Sequence, residues 1–359
     1  MKRFGKLLLC LLLVLALALG GYAAYVFGTY YRLEDNLPLE ITQAEPPAEN
    51  DLNTGSEHRI LSYNVGFGAY SDDYSFFMDG GKESRARSAE AVHENIGGAL
   101  AAVMEADPDL VLLQEVDADG TRSYHIDQRA LVREAMPEYT SVYVQNYDSP
   151  YLLWPLNAPH GANKAGQMTL SRYPITESIR RSLPIEDGFM KLVDLDRCYS
   201  INRIPLENGK ELVVFNFHLS AYTSDGTIAE EQMKMLFADM QAEVEKGNYT
   251  IAGGDFNKDI LGNSSEVFGV SGDEYTWAQP IPADIIPEGL TIVAPFDPEN
   301  PVATCRNADR PYGPDDYRVS VDGFIVSDNV EVVETQVVDT GYRWSDHNPV
   351  YMDFILTEN

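Results

Sequence analysis

The apolar residues divide this chain into three parts. Residues 7–31 carry no charge, and 7–19 is almost entirely Leu, Ala and Val. More than twenty such residues are enough to cross a bilayer as a helix. Residues 37–56 are rich in Pro, Glu, Asn and Gly and read as a flexible tether. After them, short apolar runs alternate with amphipathic ones. The expected division is an N-terminal anchor at 1–31, a tether at 32–57 and a globular domain at 58–359.

Within the domain, strands are predicted at 59–65 (RILSYNV), 110–113, 139–145, 167–171, 211–217, 249–252, 319–326, 330–338 and 348–356, each a continuous or alternating apolar run. Residues 85–106 repeat apolar positions at three-to-four spacing (Val92, Ile96, Leu100, Val103), which predicts a helix stopped by Asp107-Pro108. A second helix is predicted at 227–246, with Met233, Leu236, Phe237, Met240 and Val244 on one face. Many strands and few long helices suit an α/β protein with two packed sheets and helices outside them. A doubly wound parallel sheet needs more helices than the pattern supplies.

Charge changes the picture next. There are 56 acidic residues against 26 basic ones, a net charge of −30. That balance disfavours tight, unspecific nucleic-acid binding, which depends on Lys and Arg contacts to phosphates. It suits solubility outside the cell. Lys2, Arg3 and Lys6 precede the apolar run, whereas Glu34, Asp35 and Glu40 follow it. The positive-inside rule then places the N-terminus in the cytoplasm and the domain outside, as a single-pass membrane protein. A cleavable signal peptide is the alternative, with Ala16-Leu17-Ala18 as a cleavage pattern, although the apolar run continues to Phe27. Cys10, Cys198 and Cys305 have no zinc-ligand spacing, and the last two could pair in an oxidising compartment.

Candidate chemistry sits at strand ends. Asn64 closes RILSYN and offers an amide to a metal or phosphate oxygen. Glu115 ends the apolar run LVLLQE, where a carboxylate is costly unless it is paired, exposed or metal-bound. Mg²⁺ takes one or two carboxylates and keeps several waters, which Glu115 fits. His218 ends VVFNFH and would donate to a phosphoryl oxygen. Asp255 and Asn257 in GGDFN are two apart and suited to orienting water. Asp322 in SVDGFIVS suits the acid that fixes a histidine tautomer. Asp346 and His347 are adjacent in SDHNPV and would point apart, one to a metal and one to phosphate. Taken singly, each also has a bland reading as a turn, cap or core residue.

Taken together, SYNV, LLQEV, GQMTLSRYPI, FHL, GGDFN, VDGFIVS and SDHNPV resemble the endonuclease/exonuclease/phosphatase superfamily over residues 59–356. The resemblance implies a four-layered α/β sandwich, with two facing mixed sheets flanked by helices. It implies Mg²⁺, with Mn²⁺ as a substitute, held by Glu115 with Asn64 and Asp346. It implies Asp255 and Asn257 orienting water, His347 paired with Asp322 at the scissile phosphate, and His218 on a phosphoryl oxygen. Arg172, together with Lys82 and Arg85, is a candidate substrate contact, a solvated or structural role being preferred for the latter two. Two stretches have no familiar counterpart, 67–84 and 148–164 with Trp154, His160 and Lys164. Acidity and tether favour a small or lipid-headgroup phosphate ester over extracellular DNA or RNA. A non-catalytic binding module on the same fold and a two-metal phosphatase are the competing readings.

Overall fold

The computed structural model describes residues 2–48, 52–186, 188, 191, 195–221, 227–270 and 277–358. The strands in chain order are β1 (Leu37–Pro38), β2 (Ile41–Thr42), β3 (Glu57–Asn64), β4 (Leu110–Gly120), β5 (Thr140–Asp148), β6 (Asn163–Ser171), β7 (Glu177–Ser182), β8 (Cys198–Pro205), β9 (Glu211–His218), β10 (Tyr249–Asp255), β11 (Leu290–Val293), β12 (Cys305–Arg306), β13 (Arg318–Val319), β14 (Asp322–Ser327), β15 (Val330–Val337) and β16 (Val350–Leu356). The principal helices are α1 (Lys2–Thr29), α2 (Ala89–Glu105), α3 (Gln128–Ala135) and α4 (Thr227–Glu245).

Two seven-stranded mixed sheets result, in the orders β1-β7-β8-β9-β10-β14-β11 and β15-β16-β3-β4-β6-β5-β2. Alternation along β3 shows how they stack. Leu61 and Tyr63 pack outward with Val92, Ile96, Leu100 and Val103 of α2. Ile60 packs inward, against Leu112, Val214, Ile251 and Phe324 from both sheets. Met233, Leu236, Phe237 and Met240 of α4 cover the outer face of the other sheet. Each such side chain contributes about 1.5–3 kcal/mol on burial. The layers are therefore helix, sheet, sheet, helix. Polar contacts also cross the middle: Gln114 Nε2 donates to Asn216 Oδ1 at 2.9 Å, and Asn216 Nδ2 donates to Met168 O at 2.8 Å.

Two strand–helix–strand units set the position of the site. β3 and β4 run parallel around α2, and β9 and β10 run parallel around α4. Parallel neighbours end on the same side, so Asn64, Glu115, His218 and Asp255 reach one common edge. The antiparallel β14 starts there with Asp322, and the segment before β16 brings Ser345 to Asn348 to the same edge.

Several expectations change. Residues 37–42 do not form a free tether. Leu37 pairs with Arg180 and Ile41 with Val142, so this segment adds an edge strand to each sheet, and Leu52 is fully buried. Its alternating apolar positions (Leu37, Leu39, Ile41) had edges to cover. β7 and β8 fall outside the predicted strands because charge masks them. Arg180 is nonetheless fully buried, its guanidinium donating to the carbonyls of Gln145 (3.1 Å) and Asp196 (3.0 Å). The run 319–326 is divided between β13 and β14, and β14 begins at the candidate acid. Cys198 and Cys305 are both buried and free, with no disulfide between them.

One mid-helix glycine is required by packing. A Cβ on Gly98 of α2 would lie 2.3 Å from the Trp344 ring, immediately before the Ser345-Asp346-His347 segment. Gly98→Ala gains about 1 kcal/mol of helix propensity but overpacks Trp344 at a cost of about 1–3 kcal/mol. The expected outcome, read by urea unfolding, is a net loss of stability accompanied by lower activity.

Candidate active site

Each site residue is placed by a local feature of its strand. β4 pairs regularly with β6 up to Leu113, then slips its register before resuming at Val116. Glu115 sits in this bulge with φ of +57°, outside the pleat. Such bulges re-aim a side chain at a strand end. Asn64 spans the two sheets. Its Nδ2 donates to Asp255 Oδ2 at 3.1 Å and to Glu115 Oε1 at 3.3 Å, and its Oδ1 accepts from Gly66 N at 3.0 Å. Gly66 adopts φ of +51°, and a Cβ there would lie 2.8 Å from the Tyr70 ring and 3.2 Å from Asp346 Oδ1.

His218, Asp255 and Asp322 stand side by side, since Asp255 pairs with both across neighbouring strands. His218 Nε2 lies 3.5 Å from Asp255 Oδ2. Asn257 takes φ of +50° just beyond β10, its backbone N donating to Asp255 Oδ1 and its Nδ2 to Leu219 O, both at 2.8 Å. The Ser-Asp-His-Asn-Pro motif has a mechanical reason. Ser345 Oγ donates to Asn64 O at 2.7 Å, and Asn348 Nδ2 donates to Ala303 O at 3.0 Å. Between these anchors His347 Nδ1 donates to Asp322 Oδ2 at 2.8 Å, and its Nε2 lies 3.7 Å from Asp255 Oδ2. The Thr304 hydroxyl accepts from Asp322 N at 3.1 Å, which ties the acid to the same support.

Burial and charge set the protonation states. Burial raises Asp255 well above the usual carboxylate range, and the neighbouring Asp322 adds to it, although His347 opposes both. Burial works against a charged His347, but Asp322, with Cys305 and Asp255, outweighs it and holds the imidazole well above its ordinary pKa. For His218, burial and then the Arg197 and His347 charges push the pKa well below the ordinary value, so the ring is neutral.

Glu115 and Asp346 offer carboxylate oxygens, which suit a hard divalent cation, whereas Asn64, expected as a third ligand, turns its Nδ2 to Glu115 and its Oδ1 to Gly66 N and so orients that carboxylate instead. Enclosure by protein pushes the Asp346 carboxyl up to about 6, and Glu115 adds to the rise while His347 and Arg306 oppose it. A cation beside these carboxylates would relieve that cost, so the donors fit the group. Asp255, Asp322 and His347 also offer ligand atoms within 4.8 Å of one another. Their direct acid–histidine hydrogen bond makes them a proton-handling group rather than an open cage. The Asp346 pKa gives a pH prediction. Its folded-state value lies above the ordinary 3.8. Acid therefore protonates the folded site first, and by itself this group adds stability as pH falls from about 6. Bound cation competes with that proton, so apparent affinity is expected to fall about tenfold per pH unit below about 6, as read by calorimetric titration.

Glu115, His218, Asp255, Asn257, Asp346 and His347 line one cavity of about 430 Å³, whereas Asn64 and Asp322 do not. Those two stand behind it, orienting their neighbours. Both unfamiliar stretches reach the same cavity, through Tyr70, Phe76 and Met78 from one and His160 from the other. Arg172 does not reach it. It lies at the opposite end of β6, where its guanidinium donates to Asp107 and stacks 5.2 Å from the Tyr139 ring. At about 3.3 Å of rise per residue the strand is long enough that a motif match at one end says nothing about the other. Arg172→Ala is expected to leave kcat/KM within about twofold, since an exposed ion pair is worth only about 0–1 kcal/mol. Arg85 is likewise structural, donating to Pro159 O.

Three buried arginines lie at the cavity where Arg172 does not. Arg122 is paired with Asp117 at 2.7 Å and lies 3.9 Å from the Phe67 ring centroid. Arg197 donates to His218 O at 3.4 Å. The Arg306 guanidinium donates to the carbonyls of Ser71 (2.9 Å), Tyr74 (3.3 Å), Asn307 (3.2 Å) and Arg310 (3.2 Å), with no carboxylate partner among the described residues. All three line the cavity, and no sequence motif marks them.

An α/β sandwich with carboxylates and an acid–histidine pair converging at one sheet edge places the chain among the hydrolases of phosphoester bonds. More particularly, the chain belongs to the endonuclease/exonuclease/phosphatase family, whose sequence profile matches residues 61–347. Members of that family hydrolyse phosphoester bonds. Solved structures share the fold. An endonuclease/exonuclease/phosphatase from Beutenbergia cavernae is 19% identical, with 84% of this chain and 72% of that one covered at a TM-score of 0.60. ANGEL2, described as a 2′,3′-cyclic phosphatase, is 16% identical, with 90% and 99% covered at 0.55. TDP2 from D. rerio, solved with a single-strand DNA product, is 15% identical, with 83% and 99% covered at 0.52. No curated protein matches the sequence.

Proposed function

We propose that this chain is a Mg²⁺-dependent phosphoesterase, anchored by α1 with its catalytic domain outside the cytoplasm, acting on a small or lipid-borne phosphate ester. The reading is carried by one chain of contacts: Asp322 to His347, His347 to Asp255, Asp255 to Asn64, and Asn64 to Glu115. It joins a proton-handling group to a cation-binding group across the two sheets.

Glu115 and Asp346 would hold the cation, with Asn64 steadying the Glu115 carboxylate, and the cation would supply charge neutralisation at the phosphoryl and leaving oxygens. Asp255, its proton affinity raised toward neutrality, accepts a proton from the attacking water. Asn257, fixed by its bond to Leu219 O, orients that water. His347 donates from Nε2 to the phosphoryl group while Asp322 holds its Nδ1 proton in place. Neutral His218 donates to a second phosphoryl oxygen, and the Arg306 charge draws the anion inward.

A nucleic-acid substrate is the second reading. Net charge and the aromatic walls of Tyr70 and Phe76 favour the small ester. α1 supports the anchor: residues Arg3–Thr29 have a mean hydropathy of 2.6 and hold apolar side chains out from the fold, Leu17 at 75% exposure. The test is hydrolysis of bis-p-nitrophenyl phosphate, p-nitrophenyl phosphate, inositol phosphates, phospholipid vesicles and DNA, each with Mg²⁺, Mn²⁺ or EDTA. Cation-dependent turnover of at least one ester is expected. No turnover of any, with no cation-dependent change in Tm, would give the fold to a binding role instead.

A further inference from the structure

We infer that the loop from Ser149 to Ala158 is a second membrane contact, which seats the mouth of the cavity on the bilayer surface. The inference rests on the reading of α1 as a membrane anchor.

The loop is exceptional for this molecule. In a chain of net charge −30, the sequence SPYLLWPLNAPHGA from 149 to 162 contains no acidic residue, Lys or Arg. Its large apolar side chains face outward: Tyr151 is 37% exposed, Leu153 41%, Trp154 66% and Leu156 75%. Among the described residues outside α1 and the chain leaving it, four of the nine exposed large hydrophobic residues fall in this one stretch, the others being Met78, Met104, Tyr124, Val332 and Val333. Apolar residues clustered this way mark an interaction surface, whereas scattered ones need no explanation.

The position of the loop identifies its partner. Tyr22 Oη donates to Tyr151 O at 3.1 Å, and Tyr25 Oη accepts from Tyr151 N at 2.9 Å. The Leu153 amide donates to Tyr22 Oη at 3.3 Å. The loop backbone is thus bound to the last turns of α1. With Lys2, Arg3 and Lys6 at one headgroup layer, a rise of 1.5 Å per residue puts Tyr22 and Tyr25 about 22–27 Å beyond Leu7. The hydrocarbon layer is about 30 Å thick, so both tyrosines lie at its far boundary, where Tyr and Trp concentrate. A loop bonded to them sits at the same depth, with Trp154 and Leu156 facing headgroups and upper acyl chains.

The base of the loop connects to the chemistry. Tyr147, just before it, and His160, just after it, both line the cavity. His160 Nδ1 donates to Ser84 O at 2.7 Å, tying the loop to the other unfamiliar stretch around the cavity. A bilayer under the loop therefore lies beside the cavity mouth, and a phosphate ester carried on a lipid reaches it by lateral diffusion.

The experiment uses the full chain reconstituted in phosphatidylcholine vesicles, with matched vesicles containing acyl-chain-brominated phosphatidylcholine. The Trp154 signal is the difference between wild type and Trp154→Phe. Flotation after an alkaline wash tests the anchor, and bromine quenching tests the loop. We expect co-flotation, with the Trp154 signal falling by roughly half or more in brominated vesicles, as for a side chain 5–10 Å into the interface. We expect the Leu153→Glu/Leu156→Glu variant to float with unchanged Tm and to lose the quenching. Protein that floats with an unquenched Trp154 overturns the loop contact alone. Protein that does not float overturns the anchor and the loop contact with it. An unquenched Trp154 together with a detergent-stable dimer that the double variant abolishes gives the surface to a second copy, and also overturns the inference.

Discussion

Glu115→Gln is expected to lower kcat/KM for any ester the protein hydrolyses by about 10³-fold, with the loss concentrated in the cation-dependent term. A cation at a phosphoryl centre is worth several kcal/mol of transition-state stabilisation, and each 1.36 kcal/mol is tenfold in rate. Glutamine keeps the shape and the contact to Asn64 but removes the charge. Saturating Mg²⁺ is expected to raise the Tm of the wild type, and the same variant is expected to lose that rise. That rise corresponds to about 2.7 kcal/mol at a hundredfold excess over Kd. Scanning calorimetry with Mg²⁺ and with EDTA separates the two effects. A variant that kept its Mg²⁺-dependent Tm shift would move the cation site to Asp255, Asp322 and His347, the other acidic cluster.

His347→Ala is the second large effect. Loss of the donor to the phosphoryl group is expected to reduce kcat by about 10²–10⁴-fold. The substitution also leaves Asp322 and Asp255 buried without their counter-charge, which destabilises the fold by about 1–3 kcal/mol. Asp322→Asn separates the two consequences. It retains a side chain of the same shape but accepts poorly from His347 Nδ1, so it is expected to lower kcat with a smaller change in Tm. Because the two residues act as a unit, Asp322→Asn combined with His347→Ala is expected to be little slower than His347→Ala alone. Fully additive losses in kcat would show that the pair does not work together.

The two-sheet architecture and the residues at its common edge are legible in the sequence because they interrupt apolar runs. Glu115 after four apolar residues and Gln114, and Asp255 after two glycines, are costly placements that need a reason. The support behind them is not legible in the same way. Arg306 and Arg197 are held by backbone carbonyls, contacts that leave no spacing signature. Arg180 hides β7 because burial of its guanidinium depends on carbonyls from distant segments. The bulge at Glu115 is invisible because register belongs to the pairing of β4 with β6 and not to either strand. Arg172 shows the converse hazard: it lies within a matching motif, yet the strand carries it away from the cavity. The segment 37–42 read as a tether by composition, but alternate apolar positions were enough to dock it once free edges existed.

The arrangement of β3 has a consequence for biosynthesis. β3 carries Asn64, and its hydrogen-bonding edge opposite β4 is closed only by β16. Almost three hundred residues separate the two strands, and the segment leading into β16 also delivers Asp346 and His347. This interior strand of the sheet therefore waits with an open edge until residues 350–356 arrive. Hydrolytic competence cannot precede that event. Because synthesis runs from the N-terminus, a partly made chain lacks Asp346, His347 and the strand that seats them, and carries no complete site.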